Sequence, residues 1–238
     1  MKLALAAVAA AVLTSGAAAA DPPRLTVYAA ASLTDVLPRI DARQRYSFGG
    51  SNQLAFQVRQ GAPADVFMSA SPEFTQALFK DGLVEHPHRF CSNRLVLAVP
   101  RSNPAGLRTV FDLKRKDVKL VVGNSRVPVG SYTRIVLRKL AMTSVLTKVV
   151  SEEPDVKSIV GKIALGQADA GFVYTTDVRA ASDRVRAIAI PPWAQPKVHY
   201  EVAVVRSSEH RAAARAWVAR LSQGRARRLL RASGFGIK

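Results

Sequence analysis

The sequence predicts an α/β fold, in which strands alternate with helices and form a mostly parallel sheet that helices cover on both faces. Three observations predict it. Short apolar or alternating runs recur along the chain, segments with apolar residues at helical spacing separate them, and serine, proline or glycine stands where those helices begin and end. With 238 residues, of which 48% are hydrophobic and 22% charged, the chain is long enough for one large domain or two smaller lobes.

The first 20 residues predict a secretory signal peptide, which takes no part in the fold. Lys2 precedes an apolar run over residues 3–13, and the alanines at 18–20 offer a cleavage site before Asp21. A membrane anchor is the alternative, but this run falls short of the roughly 20 apolar residues that span a bilayer. No cysteine follows the run to carry a lipid. We therefore expect a soluble periplasmic protein.

In the mature chain, apolar and alternating patterns predict strands at residues 25–29, 64–70, 94–99, 119–122, 170–175, 186–190 and 200–205. Helices are predicted between them. The first carries Leu33, Val36, Leu37 and Ile40 on one face, the second covers residues 51–60, and the third runs from Ser71-Pro72 to Gly82. Two more helices close the chain after Ser208.

Four predicted helix starts share small or flexible residues and exposed backbone N–H groups: AAASL, GGSNQL, VPVGSY and EEPDVKS. The N-terminus of a helix has unpaired N–H donors and the positive end of the helix dipole, which together favour an anion. Small side chains let that anion approach the backbone closely. The four starts together indicate an anion-binding site. Taken singly, each is equally typical of ordinary capping, and Ser32 with Asp35 has the spacing of a capping box.

Five segments follow one another along the mature chain: AAASL, FGGSNQLAFQVRQGAPADVFMSA, VPVGSY, PDVKSIVGKIALGQADAGFVYTTD and YEVAVV. In these segments the chain resembles the periplasmic molybdate-binding proteins of bacterial ABC importers. The resemblance implies a type II periplasmic-binding-protein fold, in which two α/β lobes are joined by a two-strand hinge and hold a tetrahedral oxyanion in the cleft between them. It also implies a first lobe of residues 21–93 and 200–238, the latter including the hinge return, and a second lobe of residues 94–199.

The resemblance further implies which residues bind the oxyanion. All are neutral hydrogen-bond donors: the hydroxyl groups of Ser32, Ser51 and Tyr174, and the backbone N–H groups of Val129 and Val156. The metal atom would be held only as its oxyanion, and neither a catalytic residue nor a cofactor is expected. Tyr174 alone would be typical of a buried strand end. Asp155 is expected to cap its helix; the alternative is a carboxylate that faces the ligand as an acceptor or repels it.

The function implied is that of a monomeric, non-enzymatic receptor that delivers molybdate or tungstate to a membrane permease and its ATPase. A receptor for another oxyanion or a small organic anion is the alternative. A nucleic-acid-binding protein is disfavoured, because the basic residues do not interleave with aromatic ones. A secreted serine hydrolase is disfavoured as well, because no G-x-S-x-G motif accompanies the serines.

Positive charge is the remaining unusual feature. The formal net charge is +18, which would attract a small dianion but also suits nucleic acid or acidic lipid. From Arg206 onward nine basic residues accompany a single acidic residue, Glu209, and four of them are Arg225, Arg227, Arg228 and Arg231. The simplest interpretation of this segment is a solvated helical face without a specific partner.

Overall fold

The computed structural model describes residues 21–115 and 118–237, so the predicted signal peptide lies outside the described residues. Within these ranges the chain forms two five-stranded sheets, each packed against helices. In the same ranges, no helix has the length and apolar character needed to cross a membrane.

The first sheet contains strands from both ends of the described chain: β1 (Thr26–Ala30), β2 (Arg45–Gly49), β3 (Val66–Ser69), β4 (His88–Asn93) and β10 (Val198–Val204). Their order across the sheet is β2-β1-β3-β10-β4. Strand β1 is parallel to β2 and β3, whereas β10 is antiparallel to β3 and β4. Ala30 is paired with Gly49 at the carboxyl ends of β1 and β2, so the segments that follow both strands leave the sheet at the same edge.

The second sheet contains the intervening strands: β5 (Leu95–Pro100), β6 (Leu120–Gly123), β7 (Val149–Glu153), β8 (Ala170–Tyr174) and β9 (Val185–Ala189). Their order is β7-β6-β8-β5-β9, and β6 is parallel to β7 and β8, while β5 is antiparallel to β8 and β9. The second sheet therefore repeats the pattern of the first.

The α/β class predicted from the sequence is confirmed, but a single mostly parallel sheet is replaced by two mixed ones. Every antiparallel pairing between these strands involves β5 or β10, which are the strands that the chain forms immediately after it crosses from one sheet to the other. Arg94 alone separates β4 from β5, and the segment between Ala189 and Val198 leads from β9 back to β10. Each crossing therefore adds one strand, β5 or β10, that is antiparallel to both of its neighbours.

Eight α-helices lie in the described ranges: α1 (Leu37–Ile40), α2 (Ser51–Arg59), α3 (Pro72–Lys80), α4 (Pro128–Lys139), α5 (Val156–Ala164), α6 (Thr175–Ala180), α7 (Arg211–Arg220) and α8 (Gly224–Ala232). Their amphipathic patterns determine which face is buried. In α5 the apolar stripe Val156, Ile159, Val160 and Ile163 is buried, as its spacing predicts. Helix α3 begins as predicted, because the Ser71 side chain accepts a hydrogen bond from the Glu73 N–H.

The continuous helix predicted after β1 is wrong. The chain instead forms a short 3₁₀ turn, Ala31–Leu33, and then the single turn of α1. Pro38 lies in that turn and has no N–H to continue a helix from the preceding residues. The capping box is also wrong, since the Ser32 hydroxyl makes its hydrogen bond with Tyr200 instead of a helix N–H.

Strands β2, β4 and β7 have no counterpart in the sequence prediction. All three lie at the edge of a sheet, where one side of the strand has no neighbour. Edge strands carry polar residues and need not alternate between apolar and polar positions. The sequences RYSFG, HRFCSN and VVSEE accordingly lack the apolar runs that mark the central strands.

Candidate functional site

A small cavity lies where the two lobes meet. Its wall contains all five predicted site residues: Ser32, Ser51, Val129, Val156 and Tyr174. The two serines come from the first lobe and the other three residues from the second. The structure thus brings together, around one space, residues that are up to 142 positions apart in the chain, from Ser32 to Tyr174.

The topology explains why these residues converge. Parallel neighbours β1 and β2 lead into the 3₁₀ turn and α2, and parallel neighbours β6 and β7 lead into α4 and α5. Ligands of open α/β sheets gather at the carboxyl ends of the strands, where such connections meet. Val129 and Val156 lie in the first turns of α4 and α5, so their N–H groups have no partner within the helix.

Ser51 is almost fully buried and is oriented by the neighbouring strand end. Its Oγ accepts a hydrogen bond from the Ala70 N–H at 3.1 Å. Because this bond occupies an acceptor position of the hydroxyl group, the Ser51 O–H remains available to donate into the cavity.

Ser32 is held by a chain of side chains that the sequence analysis did not identify. The Asn93 amide donates to the Tyr200 hydroxyl at 3.4 Å, and the Tyr200 hydroxyl lies 2.8 Å from Ser32 Oγ. With Tyr200 accepting from Asn93 and donating to Ser32, the Ser32 O–H is left to donate into the cavity. Complete burial raises the pKa of Tyr200 well above its usual value, which keeps this donor protonated.

Tyr174 presents a hydroxyl group with no partner. The side chain is 2% exposed, and in the part of the chain that the structure describes its hydroxyl oxygen has no hydrogen bond. Burial raises the pKa of this phenol well above its ordinary value, so the group is a neutral donor. Buried polar groups are nearly always hydrogen-bonded, so an unpaired donor at a cavity wall is suited to bind a ligand.

Asp155 caps α5, as predicted. One carboxylate oxygen accepts from the Ser158 N–H at 3.0 Å and the other from the Ser158 hydroxyl at 3.1 Å. Asp155 also lines the cavity, but both of its oxygens are bound by the first turn of its own helix.

The two lobes touch across the cavity, so the structure is closed. The Tyr132 hydroxyl of the second lobe donates to the Ala70 carbonyl of the first at 3.3 Å. Gly50 approaches the other lobe so closely that an added Cβ would lie 2.5 Å from the carbonyl oxygen of Pro154. A serine at this position would therefore prevent the closure seen here.

Lys157 is the centre of a charged cluster beside the cavity. Its ammonium group pairs with Asp35 of the first lobe and lies 3.6 Å from Oδ1 of Asp177 in the second. The other Asp177 oxygen accepts from the Tyr174 N–H at 3.1 Å. Burial raises the pKa of Asp177 to about 6, and the Lys157 charge only partly opposes this shift. Asp35 thus contributes to a contact between lobes, a role that its place in the sequence did not indicate.

The raised pKa of Asp177 predicts a pH-dependent stability. The folded protein keeps a proton on Asp177 up to about pH 6, whereas the unfolded chain loses it near the ordinary aspartate pKa of 3.8, so this group destabilises the fold as the pH rises through that interval. We expect Asp177→Asn, relative to the original protein, to gain up to about 3 kcal/mol in the free energy of unfolding between pH 4 and pH 7. Urea unfolding at several pH values in that range measures the difference.

Asp112→Asn is the control for this prediction, with the opposite sign. The backbone N–H groups of Arg108 and Thr109 lower the pKa of Asp112, so this carboxylate stabilises the fold above its unfolded pKa and loses that effect on acidification. Relative to the original protein, the Asp112 variant should lose stability as the pH rises. The same trend in both variants would contradict the assignment for Asp177.

Residues 25–236 match the model of the bacterial extracellular solute-binding proteins. The chain belongs to this family. As a member of an extracellular family, this solute-binding protein works outside the cytoplasm.

Individual relatives within the family are named as molybdate-binding proteins. The solute-binding protein is 35% identical to the molybdate-binding protein ModA of Mycobacterium tuberculosis over 221 residues, which cover 89% of this chain and 84% of the relative. It is 30% identical to the molybdate-binding protein ModA of Escherichia coli over 244 residues, 94% of this chain and 93% of the relative. The resemblance inferred from the sequence motifs is thus confirmed.

The fold has a counterpart among solved structures. The periplasmic molybdate-binding protein of Azotobacter vinelandii superposes with a TM-score of 0.79 at 21% identity, over 90% of this chain and 100% of that one. The two-lobed, type II periplasmic-binding-protein fold expected for the solute-binding protein is therefore confirmed.

Proposed function

We propose that this solute-binding protein captures molybdate, and tungstate as well, outside the cytoplasmic membrane and delivers it to the permease and ATPase of an ABC importer. The observation that carries the proposal is the closed cavity lined by five neutral donors from two lobes, with the Tyr174 hydroxyl buried and unpaired. The relatives named as molybdate-binding proteins supply the identity of the anion.

The energetics favour a doubly charged oxyanion. A hydrogen bond to a charged acceptor contributes roughly 1.5–3 kcal/mol. Several such bonds offset the cost of removing a dianion from water and leave enough free energy for submicromolar binding. No arginine or lysine belongs to the described residues that line the cavity, so these donors and the two helix dipoles provide the attraction.

Selectivity follows from the lack of a free carboxylate among the described residues of the wall. Phosphate near neutral pH carries a proton that a carboxylate would accept best, and Asp155, the one carboxylate among those residues, is bound by Ser158 through both oxygens. Sulfate has the same charge as molybdate but is smaller, so its rejection must come from the size of the cavity. Molybdate and tungstate have the same charge and nearly the same size, and we expect the protein to accept both.

The proposal includes a monomer without enzymatic activity, catalytic residue or cofactor, in which molybdate is cargo. No histidine is among the described residues that line the cavity, so neither serine there has a base to activate it. We also propose export by the signal peptide over residues 1–20, and release into the periplasm without a lipid.

Binding would couple to closure of the lobes. We propose that residues 21–93 and 200–238 move as the first lobe and residues 94–199 as the second, about the passages at Arg94 and before Val198. An anion that bonds to donors of both lobes stabilises the closed state, because it loses half of its contacts when the cleft opens.

Isothermal titration calorimetry tests the proposal directly. Protein that begins at Asp21 is titrated separately with molybdate, tungstate, sulfate and phosphate. We expect one submicromolar site for molybdate and tungstate, and much weaker binding of the other two. Absence of heat with both metal oxyanions, in folded and ligand-free protein, would refute the assignment and favour a receptor for another anion.

Tyr200→Phe tests the chain that orients Ser32. The variant keeps the aromatic ring but removes the hydroxyl that bonds to Ser32 Oγ at 2.8 Å. A neutral hydrogen bond contributes about 1 kcal/mol, so we expect the dissociation constant for molybdate to rise about fivefold. The variant should retain a one-to-one stoichiometry, and unchanged affinity would show that Tyr200 does not orient the serine.

Asp35→Asn tests the contact between lobes. Half of the Asp35 side chain is exposed, so its pair with Lys157 is screened and contributes at most about 1 kcal/mol. We expect up to about a fivefold loss of molybdate affinity at low salt that disappears at high salt. Asp81→Asn is the matched control, because the Asp81–Arg59 pair at 2.8 Å lies within one lobe and should leave affinity unchanged.

A further inference from the structure

The basic C-terminal face takes no part in the oxyanion site. Helix α8 buries Ala226 and Leu230 and exposes four arginines, which we call the basic face: Arg225, Arg227, Arg228 and Arg231. At 100° per residue Arg225, Arg228 and Arg231 project on the side opposite the two buried residues, and Arg227 projects from the flank of the helix. Residues 211–237 contain no acidic residue, so α7 and α8 both carry a net positive charge.

Two depressions adjoin the basic face. Gly224 and three of the arginines, Arg227, Arg228 and Arg231, line the first. Such a concave arginine surface matches phosphate, because each guanidinium group can bind two phosphate oxygens at once.

The second depression is larger, and apolar side chains line it as well as arginines. Its wall combines three arginines with apolar side chains: Arg43, Arg220, Arg225, Ile40, Leu221 and Ala226. Asp41 is the one carboxylate among the described residues of this wall, and it accepts hydrogen bonds from Gln44 and Trp217. This wall offers cationic groups beside apolar surface, as an amphipathic anion requires.

We propose that the basic face docks on an anionic phospholipid surface. The arginines would bind headgroup phosphates, and the larger depression would take the less polar part of a phospholipid next to them. Clusters of basic residues are attracted to anionic membranes by an energy that adds up over the residues near the surface. The contact keeps the receptor at the membrane surface.

Nucleic acid fits this face less well than lipid. Single-stranded nucleic acid needs exposed aromatic side chains on which bases stack. The aromatic residue of α7, Trp217, is 2% exposed, and α8 contains none. The large exposed aromatic side chains among the described residues, Phe56, Phe111 and Trp193, lie outside both helices.

Vesicle sedimentation with two charge-matched variants tests the proposal. The first variant, R225Q/R227Q/R228Q/R231Q, removes the basic face. The second, R45Q/R108Q/R138Q/R186Q, removes the same charge from exposed positions elsewhere on both lobes. All eight arginines are exposed, and in α8 glutamine has nearly the helix propensity of arginine, so both variants should fold, and circular dichroism with urea unfolding checks this.

We expect the original protein to sediment with vesicles that contain phosphatidylglycerol and to remain in solution with pure phosphatidylcholine. Loss of the basic face should lower the partition coefficient at least about tenfold, since each basic residue near the surface contributes severalfold. The control variant should change it much less, and high salt should abolish binding for every protein.

Three outcomes would overturn the proposal: no binding of the original protein to anionic vesicles, equal losses in the two variants, or tighter binding of a DNA oligonucleotide than of vesicles at the same salt. Vesicle binding is measured without any oxyanion, so this result is separate from the outcome of the calorimetry. Molybdate affinity should be the same in the basic-face variant as in the original protein.

Discussion

Gly130→Ala is expected to destabilise the second lobe and to abolish oxyanion binding. A Cβ at position 130 would lie 2.0 Å from the carbonyl oxygen of Asn124 and 2.3 Å from that of Gly123. Both are backbone atoms, so no rotation of a side chain relieves the contact. The start of α4 would have to move away from β6, and the Val129 N–H would leave the cavity with it.

The expected cost is large for a single methyl group. Overpacking of a core costs typically about 1–3 kcal/mol. A clash with two carbonyl groups belongs at or above the upper end of that range. We therefore expect the free energy of unfolding to fall by about 3 kcal/mol or more. Urea unfolding measures the loss, and calorimetry with molybdate measures the effect on binding.

Gly161→Ala is the matched control. Position 161 lies inside α5, and an added Cβ there meets no atom within 4 Å. Alanine is favoured over glycine inside a helix by about 0.5–1 kcal/mol, so this variant should be slightly more stable and should bind molybdate normally. Equal behaviour of the two variants would contradict the packing argument at position 130.

Tyr174→Phe should affect affinity and stability in opposite directions. The Tyr174 hydroxyl is buried without a partner in the described structure, so its removal relieves the ligand-free protein of an unsatisfied group. In the complex the same change removes a bond to a charged acceptor worth roughly 1.5–3 kcal/mol, which corresponds to a 10- to 150-fold rise in the dissociation constant. We expect the ligand-free protein to become as stable or more stable.

Tyr46→Phe is the control, because it should lower stability without changing affinity. The Tyr46 hydroxyl is satisfied, since it donates to the Asp41 carbonyl at 2.7 Å, and it is not part of the cavity wall. Its loss should lower the free energy of unfolding by about 1 kcal/mol and leave molybdate affinity unchanged. A Tyr174 variant that loses stability but keeps its affinity would show that the hydroxyl does not bind the ligand.

Local pattern was enough to predict the central part of the fold. Apolar runs located the inner strands, and cap residues such as Ser71 and Asp155 located helix starts that the structure confirms. The edge strands were missed because they are only partly covered and carry polar residues. The break after β1 was missed because Leu33, Val36 and Leu37 are all buried, as in a helix, although the backbone is not a continuous one.

The candidate site was likewise predicted only in part: its local features were predicted, and its contacts between distant residues were not. Its five predicted residues followed from helix starts and family motifs, which are local features of the sequence. Tyr200 lies 168 positions from Ser32, and Lys157 lies 122 positions from Asp35, and nothing near either residue indicates its partner. The first contact depends on how distant segments of the first lobe come together, and the second on how the two lobes close, so both are visible only in three dimensions.

A crystal structure of the molybdate complex, with anomalous diffraction recorded at the molybdenum edge, tests the central claim most directly. We expect one strong anomalous peak in the cavity, with oxyanion oxygens within hydrogen-bond distance of the hydroxyl groups of Ser32, Ser51 and Tyr174 and of the N–H groups of Val129 and Val156. An empty cavity with the peak elsewhere, or an anion bound in the cavity by charged side chains, would contradict the account.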